Sequence, residues 1–111
     1  MMQVNRRESG PVTVLELDGR LDSHTSEVLE TALSDSWARG ATRIVLDCER
    51  LRYVSSAGLQ VLLVAGQLAE SKSGRIVFCR LRRNLGEIFE MTKFDAIFSV
   101  YASAEEAVES F

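Results

Sequence analysis

A single mixed α/β domain is what this chain predicts, on three observations. Short apolar runs rich in Val, Ile and Leu alternate with longer stretches whose apolar residues recur at helical spacing. The first two runs adjoin across Ser9-Gly10-Pro11, a turn sequence that fits an antiparallel hairpin. No repeat, low-complexity tract or Pro/Gly/Ser linker divides the 111 residues, a length suited to one modest core.

Each element follows from local composition. Val4 to Glu8 is predicted as a short edge strand, and Val12 to Leu17, β-branched and largely apolar, as its partner. The stretch Asp18-Gly19-Arg20-Leu21-Asp22 reads as a loop. Asp22, Ser23 or Thr25 can then cap a helix carrying Val28, Leu29, Ala32, Leu33 and Trp37, with Gly40 as its stop. Ile44 to Cys48 lacks alternation, as a central strand covered on both faces would. Glu49 to Val54 leads from it to the serines at 55 and 56.

A helix from Ala57 to about Lys72 should end with Gly74 at C′. Arg75 to Cys79 is the next strand, and Asn84 can cap a helix bearing Leu85, Ile88, Phe89 and Met91. Ile97 to Tyr101 reads as a last short strand. Ser103 and Glu106 form a capping box for a terminal helix. A hairpin followed by strand-helix units implies parallel strands joined by right-handed crossovers. The loops at the carboxyl ends of those strands then build the site. They carry the serines and the basic clusters Arg50/Arg52 and Arg80/Arg82/Arg83, all expected at one edge.

Composition excludes several functions. A net charge of −3 and a pI of about 5.2 supply no global field for nucleic acid or anionic lipid. The basic clusters read first as solvated loop charges. No apolar run is long enough to span a bilayer, and Met1 to Arg7 lacks the apolar core of a signal peptide. Cys48 and Cys79 lie in apolar segments without metal-ligand spacing, as reduced, buried cysteines of a cytoplasmic protein would. The one histidine, His24, falls in the expected first turn of a helix and reads as a surface or capping residue. No triad, metal cluster or phosphate-cradling glycine loop is present, so neither catalysis nor a metal or cofactor is expected.

Attention therefore falls on Tyr53-Val54-Ser55-Ser56-Ala57-Gly58-Leu59. A serine at this junction is either a plain N-cap or a place where a phosphate is written, because first-turn N–H groups and the helix dipole favour negative charge. Counting back from Gly58, Ser56 is the expected cap and Ala57 the first helical residue. The helix that follows is apolar nearly all round, more than covering one sheet face requires. The surplus implies a second packed neighbour, either a helix or a protein partner.

Val54-Ser55-Ser56-Ala57-Gly58-Leu59, together with Gly19-Arg20-Leu21-Asp22, Thr25 and Ile44-Val45-Leu46-Asp47, resembles the STAS domain family, the bacterial anti-sigma factor antagonists. The resemblance spans essentially the whole chain. It implies a four- to five-stranded mixed sheet with an N-terminal hairpin and about four helices packed mainly on one face. It also implies a non-enzymatic protein that binds an anti-sigma factor, itself a serine kinase, until phosphorylation ends the binding. A dedicated serine phosphatase then restores it. By position, Ser56 is the implied phosphoacceptor with Ser55 the second choice, and Asp22 with Ser55, Ser56, Ala57, Gly58 and Leu59 would line the contact surface. The family often has Asp where Ser55 stands. Two other readings compete: a STAS-like subunit of a membrane transport or signalling complex with Ser56 as cap only, and a nucleotide or small-molecule binder at the same helix N-terminus.

Overall fold

The computed structural model describes residues 1–111. Five strands, β1 (Met2–Ser9), β2 (Val12–Leu21), β3 (Arg43–Val54), β4 (Arg75–Cys79) and β5 (Val100–Tyr101), form one sheet in the order β1-β2-β3-β4-β5. β1 pairs antiparallel with β2, and every later neighbour pairs parallel. The helices are α1 (Ser26–Ala38), α2 (Ser56–Ser71), α3 (Arg83–Met91), α4 (Phe94–Ile97) and α5 (Ala104–Glu109). The predicted fold class holds, with five helices in place of about four.

Strand alternation divides the interior in two. Leu15 and Leu17 of β2, Ile44, Leu46 and Cys48 of β3, and Ile76 and Phe78 of β4 point to one face. There they meet Leu29, Leu33, Leu62, Ala65, Leu85 and Phe89, so α1 to α4 all cover this side. Val12, Val14, Val45, Val77 and Cys79 point the other way, against Ala104 and Ala107 of α5. Both faces of β3 and β4 are thus apolar, which is why neither strand alternates in sequence.

Five local expectations are corrected. First, residues 18–21 and 49–54 are not loops but the ends of β2 and β3. Two register shifts, at Glu16/Asp18 and Gly19/Arg20, break the alternation. Gly19 sits at φ 126°, where an added Cβ would lie 2.1 Å from the Met1 carbonyl oxygen. Second, the predicted strand at 97–101 begins as α4. Phe94 and Phe98, four residues apart, both enter a ring cluster with Phe78 and Phe89, at centroid separations of 5.0–5.8 Å. Third, α2 ends in a Schellman motif with Ser73, not Gly74, in the left-handed C′ position at φ 57°. The N–H of Gly74 reaches Ala69 O and that of Ser73 reaches Glu70 O. Gly74 is needed for room, since a Cβ would meet the Thr42 carbonyl oxygen at 2.5 Å.

Fourth, Asn84 is not a cap. α3 opens after Arg82, and Asn84 lies inside it, its amide donating to Arg52 O at 3.5 Å. Fifth, α1 opens after Thr25, so His24 lies in the turn ahead of the helix and is exposed. The Gly40 stop stands as predicted, and of the Ser103/Glu106 capping box the Ser103 half forms, with Glu106 N donating to Ser103 Oγ at 3.1 Å, while Glu106 Oε1 accepts from the Ser103 hydroxyl and not from its N–H.

Cys48 and Cys79 are buried and unpaired. Burial pushes the Cys48 thiol well up, and burial together with the Asp47 charge pushes that of Cys79 up to about 12. Neither thiol should therefore react with iodoacetamide at pH 8 until the chain is unfolded in urea. Rapid alkylation of the native protein would contradict this packing.

Candidate partner-binding site at the serine pair

The site is built where β2, β3 and α2 meet. Ser55 leaves β3 in extended geometry, φ −83° and ψ 173°, and its N–H donates to Leu21 O at 2.9 Å. That bond continues the β2–β3 ladder by one residue and fixes where the helix starts. Ser55, rather than Ser56, is the N-cap: its Oγ accepts from Gly58 N at 3.1 Å, and its carbonyl accepts from Leu59 N. Counting back from Gly58 misplaced the cap by one residue, because Ser56 already has helical geometry. Ser56 is the first helical residue, exposed, with no hydrogen bond from its hydroxyl to the rest of the chain. One serine therefore holds the helix while its neighbour presents a free hydroxyl beside first-turn N–H groups.

Gly58 allows the close approach. An added Cβ would lie 2.7 Å from Leu21 O and 3.0 Å from Val54 Cγ1, so any side chain would lift α2 away from the sheet. Leu59 is half-buried against the main core, and Ala57 is exposed beside Ser56.

Asp22 follows Leu21 directly and so shares this corner. Its Oδ1 accepts from His24 N at 2.9 Å and Thr25 N at 3.1 Å. The buried Thr25 closes the turn: its hydroxyl donates to Arg20 O at 2.7 Å and accepts from Asp22 N at 3.0 Å. Desolvation acts to raise the Asp22 pKa, but the N–H groups of His24 and Thr25 outweigh it and hold the carboxyl below its ordinary 3.8. A carboxyl with a lowered folded-state pKa adds stability above its unfolded value and loses it as pH falls through the folded one. The α1 entry turn should accordingly stay intact down to about pH 4 and loosen only in stronger acid. Carboxyl-detected NMR titration checks this, and a midpoint above 3.8 would contradict it.

Asp22, Ser55, Ser56, Ala57, Gly58 and Leu59 thus share one corner, where Ser56 and Ala57 are exposed and Gly58 is buried beneath them. Two further features emerge only in three dimensions. The Arg20 guanidinium stacks over the Tyr53 ring at 4.2 Å, beside the serine pair. On the sheet face that α5 leaves open, Asp47 is buried at 2% exposure and gripped by Arg80. Arg80 Nε donates to Oδ1 at 3.1 Å and Nη2 to Oδ2, while Nη1 reaches Glu49 at 3.2 Å. Arg80 holds this fork from a left-handed backbone, φ 56°. An aspartate at the end of the apolar run Ile44-Val45-Leu46 was the available signal that a cation had to be near. Val64 and Leu68, the surplus apolar positions of α2, remain about half exposed along a groove of about 430 Å³ against Leu33 and Trp37 of α1.

A five-stranded mixed sheet thus presents an exposed serine with a free hydroxyl at a helix N-terminus. A sequence model of the STAS domain matches residues 3–107. The chain belongs to the STAS domain family. It is 39% identical over 95 residues to BtrV, a candidate anti-sigma factor antagonist of Bordetella bronchiseptica, covering 86% of this chain and 82% of that one. The fold is similar to that of a candidate anti-sigma factor antagonist of Thermotoga maritima, with TM-score 0.89, 18% identity and coverage of 96% and 92%. It is also similar to SpoIIAA of Bacillus in its phosphorylated form, with TM-score 0.73, 24% identity and coverage of 99% and 98%. The curated relatives are named anti-sigma factor antagonists, which are binding proteins and not enzymes, and this chain is of that kind. No helix is long and apolar enough to cross a membrane.

Proposed function

We propose that this chain is an anti-sigma factor antagonist of the cytoplasm that binds an anti-sigma serine kinase while Ser56 is unmodified and leaves it on phosphorylation. The observation that carries the reading is the division of labour at the pair: Ser55 Oγ is committed to Gly58 N, whereas Ser56 Oγ is exposed and free. Similarity to anti-sigma factor antagonists supports the partner class.

In the kinase reaction, Ser56 Oγ bonds to the γ-phosphorus of ATP as the bond to ADP breaks, and the hydroxyl proton passes to the kinase. A phosphatase reverses the modification with water, releasing inorganic phosphate. A phosphoserine adds roughly −1.5 to −2 charges. The N-terminus of α2 tolerates that charge, while a partner surface pressed against it does not.

Phosphopeptide mapping after incubation with the kinase and ATP should place the phosphate on Ser56. Ser55→Ala should cost about 1 kcal/mol in urea unfolding, the usual worth of a cap, and still accept phosphate. Phosphate found only on Ser55, or a Ser56→Ala protein that is still released by kinase and ATP, would overturn the assignment.

A further inference from the structure

The carboxyl edge of the sheet is basic in an otherwise acidic chain. Residues 18–22, 47–56 and 80–84 hold six of the thirteen basic residues and only four carboxylates, within a net charge of −3 for the whole. Those carboxylates are largely consumed internally. Asp47 and Glu49 are held by Arg80, Asp18 lies 3.6 Å from Arg52, and Asp22 is turned onto its own backbone. Arg20, Arg50 and Arg82 are exposed and have no carboxylate within 4 Å. Two of them are already ordered: Arg20 lies on the Tyr53 ring, and Arg82 Nε donates to Glu49 O at 3.1 Å. The patch is continuous with the serines, since Tyr53 pairs with Arg20 and Ser55 N bonds Leu21 O.

We infer that this edge, through Arg20, Arg50 and Arg82, docks an acidic surface of the partner protein. The inference rests on the phosphoswitch proposed above and gives it a direction. A new negative charge at Ser56 weakens a partner whose opposing face is negative, and would strengthen one whose face is positive. An acidic partner face adds like-charge repulsion to the cost of desolvating the phosphate and so favours release on phosphorylation, and unpaired arginines are what such a face would meet. Three unpaired arginines in a chain of net charge −3 do not make the broad basic stripe that a nucleic acid or an anionic membrane needs, whereas a few carboxylates of a protein face match them.

The test has two arms. In the first, a decaglutamate peptide is titrated into the labelled full chain. Amide shifts should cluster around Arg20, Arg50 and Arg82 and disappear in the Arg20→Gln/Arg50→Gln/Arg82→Gln variant. Absence of any localised shift, or equal or tighter binding of a 20-base-pair DNA duplex or phosphatidylserine vesicles at these residues, overturns the inference. In the second arm, the serine kinase captured on the unmodified protein is measured against the same variant. Its association rate should fall about tenfold or more and lose most of its salt dependence, while Arg43→Gln at the opposite edge should leave both unchanged. An unchanged rate in the triple variant overturns the inference while the switch stands. If no kinase is captured but decaglutamate still maps to the edge, the switch falls and the acidic-ligand surface stands.

Discussion

Phosphorylation of Ser56 is expected to weaken kinase binding about a hundredfold, which corresponds to about 3 kcal/mol. Ser56→Asp, with a single charge nearer the backbone, should weaken it about tenfold, and Ser56→Ala should bind as tightly as the unmodified protein. The ordering follows from where the hydroxyl sits. Ser56 makes no contact that its removal would break, so the alanine variant should unfold within about 0.5 kcal/mol of wild type. Its loss of switching would then not be a loss of fold. Isothermal titration of the four forms against the purified kinase gives the comparison, and equal affinities would end the phosphoswitch reading. Circular dichroism and urea midpoints on the same samples separate binding from stability.

Arg80→Ala is the substitution expected to cost most stability among the polar residues, about 2–3 kcal/mol, or a fall in Tm of about 10 °C. It leaves the Asp47 carboxylate buried without its fork and keeps the strained left-handed backbone at position 80. The figure lies below that of a fully buried pair because the Arg80 side chain is 35% exposed and water can approach. Adding Asp47→Asn to Arg80→Ala should recover about 1 kcal/mol, since the orphan would then be neutral. Urea unfolding of the two single variants and the double variant measures the coupling. Additive effects would mean that the pair contributes nothing beyond its separate side chains.

The order and type of nearly all elements were legible because each buries its apolar residues at its own period. Ile44 to Cys48 reads as a central strand and Arg75 to Cys79 as the next strand, and both are apolar on two faces because α5 covers what the other helices leave open. What failed was local. Residues 18–21 look like a loop because Asp18, Gly19 and Arg20 lack apolar character, yet β3 pairs with all four and β1 with Asp18 and Gly19. Phe94 and Phe98 carry a helical spacing too short to outweigh the β-branched look of Ile97 to Tyr101. The site was legible in membership but not in roles. Ser55 and Ser56 have the same side chain, and only the start of the helix decides which one caps. The Arg20–Tyr53 stack and the Asp47–Arg80 fork join residues 33 positions apart in sequence, which no local pattern reports.

The bond from Ser55 N to Leu21 O, with Gly58 pressed against the same carbonyl, has a consequence for timing. Under the proposed switch, a helix start riveted to a strand end would leave no slow rearrangement between writing the mark and reading it. The state of the protein would then be carried by one covalent bond at the surface and erased when that bond is cut. Its memory would last as long as the ratio of kinase to phosphatase dictates, with no delay added by the fold.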